Sequence, residues 1–299
     1  MIDYVKLLLL VIDVERLKSL SQLTFYRAIS RDTAESSNKQ IAEYHHCKIT
    51  IFDSGIVLFS GSIHKMYNSL HNIKAPNYNK EKLYKGYNGN QFNFNEILEV
   101  VTHLANLFDC QPQQMVFQNI ELGVNTEPKF NPDLFIKGLL YQSGKQFESR
   151  YNNNYTQAMH QRYIFKIYNK GSQYGMNKNT LRIELKYKKM IDVNALGITT
   201  FADININTLN NAKQELLRRF DEVVYYDYTI DKKSPTANVK RLLTKYSNPR
   251  YWFVTLKSNQ RDRPKKRLKK IINDYSNNLH SQLREEIINK CVIINQLSK

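Results

Sequence analysis

The sequence predicts an α+β fold, with a sheet-and-helix domain over residues 1–228 and a basic helical segment over 229–299. Three observations predict it. Strand-like alternation and helix-like periodicity take turns through the first two-thirds of the chain. A hairpin signal near residue 50 and two neighbouring alternating runs after residue 160 supply strands. The last part of the chain carries an apolar stripe behind a dense run of Lys and Arg.

The elements follow in order. The opening, Met1 to Asp13, is apolar but short; Lys6 interrupts it, Asp13 ends it, and no small-residue cleavage site follows. It reads as a buried strand over Val5 to Ile12, not as a signal peptide or membrane helix. Lys48 to Phe59 reads as a hairpin turning at Asp53-Ser54-Gly55. Ile73 to Gln91, rich in Asn, Lys, Tyr and Gly, reads as a loop. Asn95 is expected to cap a helix in which Ile97, Val101, Leu104 and Phe108 recur at helical spacing. Gln114 to Val124 reads as a strand, Asn131 to Gln142 as a helix and Ser149 to Thr156 as a polar loop. Two strands follow, Tyr163 to Tyr168 and Leu181 to Tyr187, and the Gly and Lys residues between them imply an exposed basic loop. Ile204 to Tyr226 reads as mostly helical, and Asp231 to Thr236 as a linker. Beyond it, Leu268, Ile272, Tyr275, Leu279, Leu283 and Ile287 form the apolar stripe behind the basic run Arg261 to Lys270.

The chain of 299 residues holds 44 Lys and Arg against 27 Asp and Glu, a formal charge of +17. That excess favours a polyanionic partner, nucleic acid first and a membrane surface second, although it also fits a generally basic protein. Cys47, Cys110 and Cys291 are odd in number and widely spaced, which argues against a zinc knuckle or a disulfide framework and for a reducing compartment.

Three groups carry chemistry. His64 follows a strand in Gly61-Ser62-Ile63-His64-Lys65. Asn119, Glu121, Gly123 and Asn125 share one face of a strand, with Ile120, Leu122 and Val124 on the other. Tyr168 and Lys170, two apart at a strand end, share a face, and an ammonium there stabilises a phenolate nucleophile. Imidazole and carboxylate together suit Mg²⁺ or Mn²⁺, with His64, Glu121 and Asn125 as expected ligands. Arg182 and Glu184 share a strand face and are placed to pair.

The opening Met1-Ile2-Asp3-Tyr4-Val5-Lys6-Leu7, then Gly61 to Lys65, Asn119 to Asn125, Tyr168-Asn169-Lys170 and Leu181-Arg182-Ile183-Glu184, occur in an order that resembles the rolling-circle replication initiators of filamentous phages and their relatives in bacteroidete phages and plasmids. The resemblance covers residues 1–225, with a weaker likeness around Asn248 to Trp252. It implies a mostly antiparallel central sheet flanked by helices, as in HUH endonucleases. It implies an enzyme that nicks one strand of an origin, joins the 5′ phosphate to a tyrosine, leaves a 3′ hydroxyl for polymerase and religates the displaced circle. Tyr168 would be the nucleophile, Lys170 its companion and Tyr174 a second tyrosine, as some enzymes of this type use two. The chain departs from the HUH pattern: the corresponding strand carries Glu121 and Asn125 and no histidine pair. DNA contacts are expected from Arg182, Lys265, Lys266, Arg267, Lys269 and Lys270, with Tyr163, Tyr174 and Tyr187 stacking on unpaired bases. Partners are then double- and single-stranded origin DNA with a host helicase and polymerase, no membrane, in the cytoplasm of a bacterial host. The competing reading is a non-enzymatic DNA- or RNA-binding protein, a degenerate initiator or repressor; a third is a relaxase or transposase with the same tyrosine chemistry.

Overall fold

A computed structural model describes residues 1–29, 32, 34–76, 86–150 and 155–295. Ten strands form one sheet in which every neighbouring pair is antiparallel.

The first strand, β1 (Ile2–Leu9), lies near the middle of this sheet. Asp13 then caps α1 (Val14–Ser19) by accepting the Arg16 amide. A meander follows: β2 (Tyr26–Ile29), β3 (Ser36–Tyr44), β4 (Cys47–Phe52) and β5 (Val57–Ser62). β4 and β5 are the hairpin expected at 48–59. Ser62 ends β5 and caps α2 (Ile63–Leu70), its hydroxyl accepting the Lys65 amide at 3.1 Å. The next helix, α3 (Phe94–Phe108), starts two residues earlier than expected. Asn93, not Asn95, is its cap, because Asn93 and Glu96 satisfy each other's amides in a capping box.

β6 (Met115–Thr126) enters the sheet beside β1. The expected helix over Asn131 to Gln142 is only half realised. α4 (Pro132–Lys137) stops at Gly138, where the backbone passes so close to Tyr225 and the Tyr226 carbonyl that a Cβ would sit 2.3 Å from both. The chain continues as β7 (Leu139–Gln142), β8 (Lys145–Gln146) and β9 (Glu148–Arg150), so the expected polar loop at 149–156 begins and ends in strand. Residues 151–154 of that loop and 77–85 of the loop expected over Ile73 to Gln91 lie outside the described residues. β10 (Tyr155–Met159) and β11 (Tyr163–Asn169) follow, then α5 (Lys170–Tyr174) and β12 (Leu181–Tyr187). α5 replaces part of the expected exposed loop: Asn169 caps it, and Lys170 and Tyr174 are buried. α6 (Ile191–Asn194), α7 (Ile206–Asp221) and β13 (Val223–Tyr225) lead out of the sheet, and β13 joins β7 and β8 in a small second sheet.

The C-terminal part is α8 (Ala237–Tyr246), α9 (Asp262–Tyr275) and α10 (Leu279–Asn295). α10 packs against α7 and β6. Its Leu283, Ile287 and Cys291 share one hydrophobic core with the strands, as do Trp252, Leu268 and Ile272. Asp227 ties the two parts together by accepting the Leu279 amide at 2.8 Å and the Ser276 hydroxyl at 3.2 Å. Among the described residues, no helix is long and apolar enough to cross a membrane.

Candidate active site

Four neighbouring strands, β1, β6, β12 and β11, build the site, and their register decides which side chains meet. Glu184 of β12 pairs with Gly123 of β6 and with Lys166 of β11. Lys186 pairs with Glu121, and Arg182 with Asn125 on one side and Tyr168 on the other. Side chains alternate across a strand, so Glu121, Glu184, Lys166, Arg182 and Tyr168 share one face. On β1, Ile2 pairs with Leu122 but Val5 with Ile120. One extra residue is therefore inserted, and Asp3 and Tyr4 together stand opposite Glu121. Such a bulge re-aims a side chain, and here it delivers Asp3 to the polar face while Ile2 and Val5 stay in the core. Gly123 makes room: a Cβ there would lie 2.5 Å from the Glu184 Cβ.

One carboxylate oxygen each from Asp3, Glu121 and Glu184 lie within 4.8 Å of one another. Lys166 Nζ stands 3.0 Å from Glu121 Oε1 and 2.8 Å from Glu184 Oε1. Arg182 bridges Glu184 Oε2 at 2.5 Å and Asp3 Oδ2 at 3.1 Å, and donates to Asn125 Oδ1 at 3.0 Å. Lys186 reaches Glu121 Oε1 at 3.1 Å. Ser62 and Asn88 donate to the two oxygens of Asp3. Burial raises the carboxyl pKa values of Asp3 and Glu184, but Arg182 acting on Asp3, and Lys166 with Arg182 acting on Glu184, outweigh it and keep both ionised. Glu121 moves upward, because burial and the neighbouring Glu184 charge exceed what Lys166 and Lys186 return.

Tyr168 completes the cluster. Its hydroxyl lies 3.4 Å from Glu184 Oε2 and 3.5 Å from Lys170 Nζ, and its rotatable O–H can turn to either. Burial, with the Glu184 charge beside it, pushes the phenol well above its ordinary pKa. Burial, with Arg182 nearby, pulls the Lys170 amine down from 10.5 to about 7. A half-neutral amine beside a phenol that resists ionisation is a proton acceptor for that phenol. Tyr168, Lys170 and the three carboxylates line one cavity of about 560 Å³, with the Tyr155 ring tilted against Tyr168 at 5.3 Å between ring centroids.

Three hard carboxylate oxygens this close together could hold a divalent cation. Glu121 is one of the expected ligands. His64 and Asn125 sit next to the cluster but are engaged elsewhere. His64 is buried at the start of α2, stacked on Phe92 at 4.7 Å, with Nε2 2.8 Å from Asn90 Oδ1. Burial lowers its pKa to about 3, so the imidazole is neutral. Asn125 uses its amide to donate to the Asn88 and Asn90 carbonyls and its oxygen to accept from Arg182. These two side chains fix the loop that carries Asn88.

The other expected site residues are distributed as follows. Tyr174 is buried beneath the site and outside the cavity lining, its hydroxyl 2.7 Å from Asn88 Oδ1. Tyr163 and Tyr187 face the opposite side of the sheet, buried in the core. Arg182 is 3% exposed and held by carboxylates, so it orders the site instead of presenting a DNA-facing charge. On α9, Lys266, Arg267, Lys269 and Lys270 are exposed, whereas Lys265 pairs with Asp262 at 3.2 Å and lies over the Tyr141 ring. Sequence reasoning assigned no site role to Asp3, Lys166, Asn88 or Tyr155. The available signal was a lone charge inside an otherwise apolar strand: Asp3 in Met1 to Val5 and Lys166 in Ile164 to Ile167.

No model of a known protein family matches this chain, and no curated protein matches it.

Proposed function

We propose that the chain is a divalent-metal-dependent DNA nickase and strand transferase of the rolling-circle initiator type, acting through Tyr168 on a phage or plasmid origin. One observation carries this reading. Asp3, Glu121 and Glu184, far apart in sequence, meet in a single cavity beside Tyr168, whose hydroxyl lies 3.5 Å from the depressed-pKa Lys170. Asp3, Glu121 and Glu184 would hold Mg²⁺ or Mn²⁺, which when bound polarises a phosphate oxygen. Tyr168 Oη attacks the phosphorus and forms an O–P bond while the bond to the 3′ oxygen breaks. The phenol proton passes to neutral Lys170, and the departing 3′ oxygen takes a proton from solvent. The energy of the broken ester is kept in the phosphotyrosine, so attack by a 3′ hydroxyl reverses the step and religates. Arg182 anchors Glu184 and Asp3 throughout.

The basic C-terminal helices support the same reading. Residues 237–275 hold twelve Lys and Arg against only Asp262 and Asp274. The exposed cations of α9 are suited to sequence-independent contacts with duplex phosphates.

The test is incubation with supercoiled DNA carrying a candidate origin and Mn²⁺, followed by a denaturing gel and mass spectrometry of any DNA-linked peptide. The expected adduct is on Tyr168, and Tyr168→Phe should lose roughly 10³-fold or more of the nicking while still binding DNA. Full nicking by Tyr168→Phe, or binding without adduct under any divalent metal, would overturn it. The second outcome would favour the non-enzymatic binding protein.

A further inference from the structure

Lys166 bridges two of the carboxylates that a divalent cation would use. Its ammonium pairs with Glu121 Oε1 and Glu184 Oε1, 3.0 Å and 2.8 Å away, so it engages two of the three carboxylates whose oxygens lie within 4.8 Å of one another. A metal ion bound by the same oxygens at roughly 2.0–2.2 Å leaves no room for a second positive centre between them. The charge balance says the same. Asp3, Glu121 and Glu184 already face Lys166, Arg182 and Lys186. Adding a divalent ion with all three cations in place would leave a buried excess of positive charge.

Of these three cations, Lys166 alone lines the cavity. Arg182 also bridges two of the carboxylates, but its planar fork is further fixed by Asn125, its side chain is 4% exposed and it does not line the cavity. Lys186 reaches Glu121 among the three carboxylates and lies over the Tyr4 ring, and it does not line the cavity. Lys166 lines the cavity, ends a flexible four-carbon stem and bears a compact ammonium. We propose that Lys166 is a built-in counter-ion: it holds the metal position closed in the metal-free protein, swings into the cavity when a divalent cation binds, and thereby sets the metal affinity of the site. The displaced ammonium remains in the cavity that holds Tyr168, where a phosphate would be its new partner. This inference rests on the metal-dependent reading above, and deepens it by naming the group the metal displaces.

Mn²⁺ binding to wild type and Lys166→Met, read by the loss of the free-ion electron paramagnetic resonance signal, tests it. Removing the competing charge should tighten Mn²⁺ binding roughly tenfold or more. Lys166→Met leaves two buried carboxylates less compensated, so its fold is checked by circular dichroism. A second measurement uses the wild-type protein alone: amine acylation with and without Mn²⁺, mapped by peptide mass spectrometry. Labelling of Lys166 should rise several-fold when Mn²⁺ binds, with the exposed Lys266 unchanged. Equal Mn²⁺ affinity in the two proteins, or Lys166 labelling that stays constant in the Mn²⁺-bound wild type, overturns the counter-ion role while leaving the metal site intact. Absence of Mn²⁺ binding in both proteins overturns the metal site itself and this inference with it.

Discussion

The two faces of β12 bury residues of opposite chemistry. Ile183, Leu185 and Tyr187 on one face are 0% exposed, and Arg182 and Glu184 on the other are 3% and 2% exposed. The apolar face joins the core that includes α7 and α10, where burial stabilises by roughly 25 cal/mol per Å² and asks little of direction. The ionic face loses hydration that its pairing only partly returns, so apolar side chains of similar volume would serve stability as well or better. Stability alone therefore does not account for these charges.

Breaking each face separately tests that contrast. Arg182→Met leaves Asp3 and Glu184 buried and short of a partner, and should cost roughly 3–5 kcal/mol, measured by urea unfolding. Replacing the cluster together, Asp3→Asn with Arg182→Met and Glu184→Gln, should recover most of that loss while abolishing nicking. If the triple variant is no more stable than Arg182→Met, the ionic face is structural after all. Next in size is Gly123→Ala. Its methyl group would meet the Glu184 Cβ and the Ile183 carbonyl at 2.5 Å, and both belong to a paired strand with little freedom to yield. A loss of about 1–3 kcal/mol is expected in thermal unfolding, together with weakened Mn²⁺ binding as Glu184 shifts. Unchanged stability and binding would mean that β6 and β12 tolerate a wider spacing.

How far the sequence discloses this arrangement depends on whether the controlling interaction is local. The β4–β5 hairpin is legible because its turn is written in three consecutive residues. The strands carrying Glu121, Tyr168 and Glu184 are legible because alternation is a local pattern. α4 is over-read because what stops it, the approach of Tyr225 and Tyr226 to Gly138, comes from more than eighty residues away. The same limit governs the site. Tyr168 and Lys170 stand two apart and can be paired by eye. Asp3 reaches the polar face only through a one-residue bulge against β6, and nothing near Asp3 in the sequence encodes that register shift. His64 and Asn125 attract attention as metal-ligating types, yet their partners, Asn90 and the Asn88 carbonyl, belong to a loop whose path no periodicity reveals.

Lys170 gives a smaller effect with a defined sign. Its folded value of about 7 lies below the ordinary 10.5, so between those values the unfolded chain carries a proton that the folded chain has released. Stability should therefore rise with pH across that window and level off beyond it, and Lys170→Met should flatten the rise. Nicking should follow the neutral amine as well, increasing as pH passes through about 7. A rate that falls across the same range would remove Lys170 as the acceptor of the Tyr168 proton.

The exposed charges of α9 provide the last contrast, because solvent already screens them. Lys269 and Lys270 project from a helix whose Leu268, Ile271 and Ile272 are buried, so replacing them leaves the packing untouched. Each phosphate contact contributes about 0.9 to the slope of log affinity against log salt. Lys269→Gln with Lys270→Gln should therefore lower that slope by about 2 for duplex DNA. Unfolding free energy and the Mn²⁺ affinity of the site should stay at wild-type values. Buried charges would then govern chemistry and stability at fixed salt, and surface charges would govern only where the protein rests on DNA. An unchanged slope would move the duplex contact to the remaining cations of α8, Lys240, Arg241 and Lys245, which face solvent on the neighbouring helix.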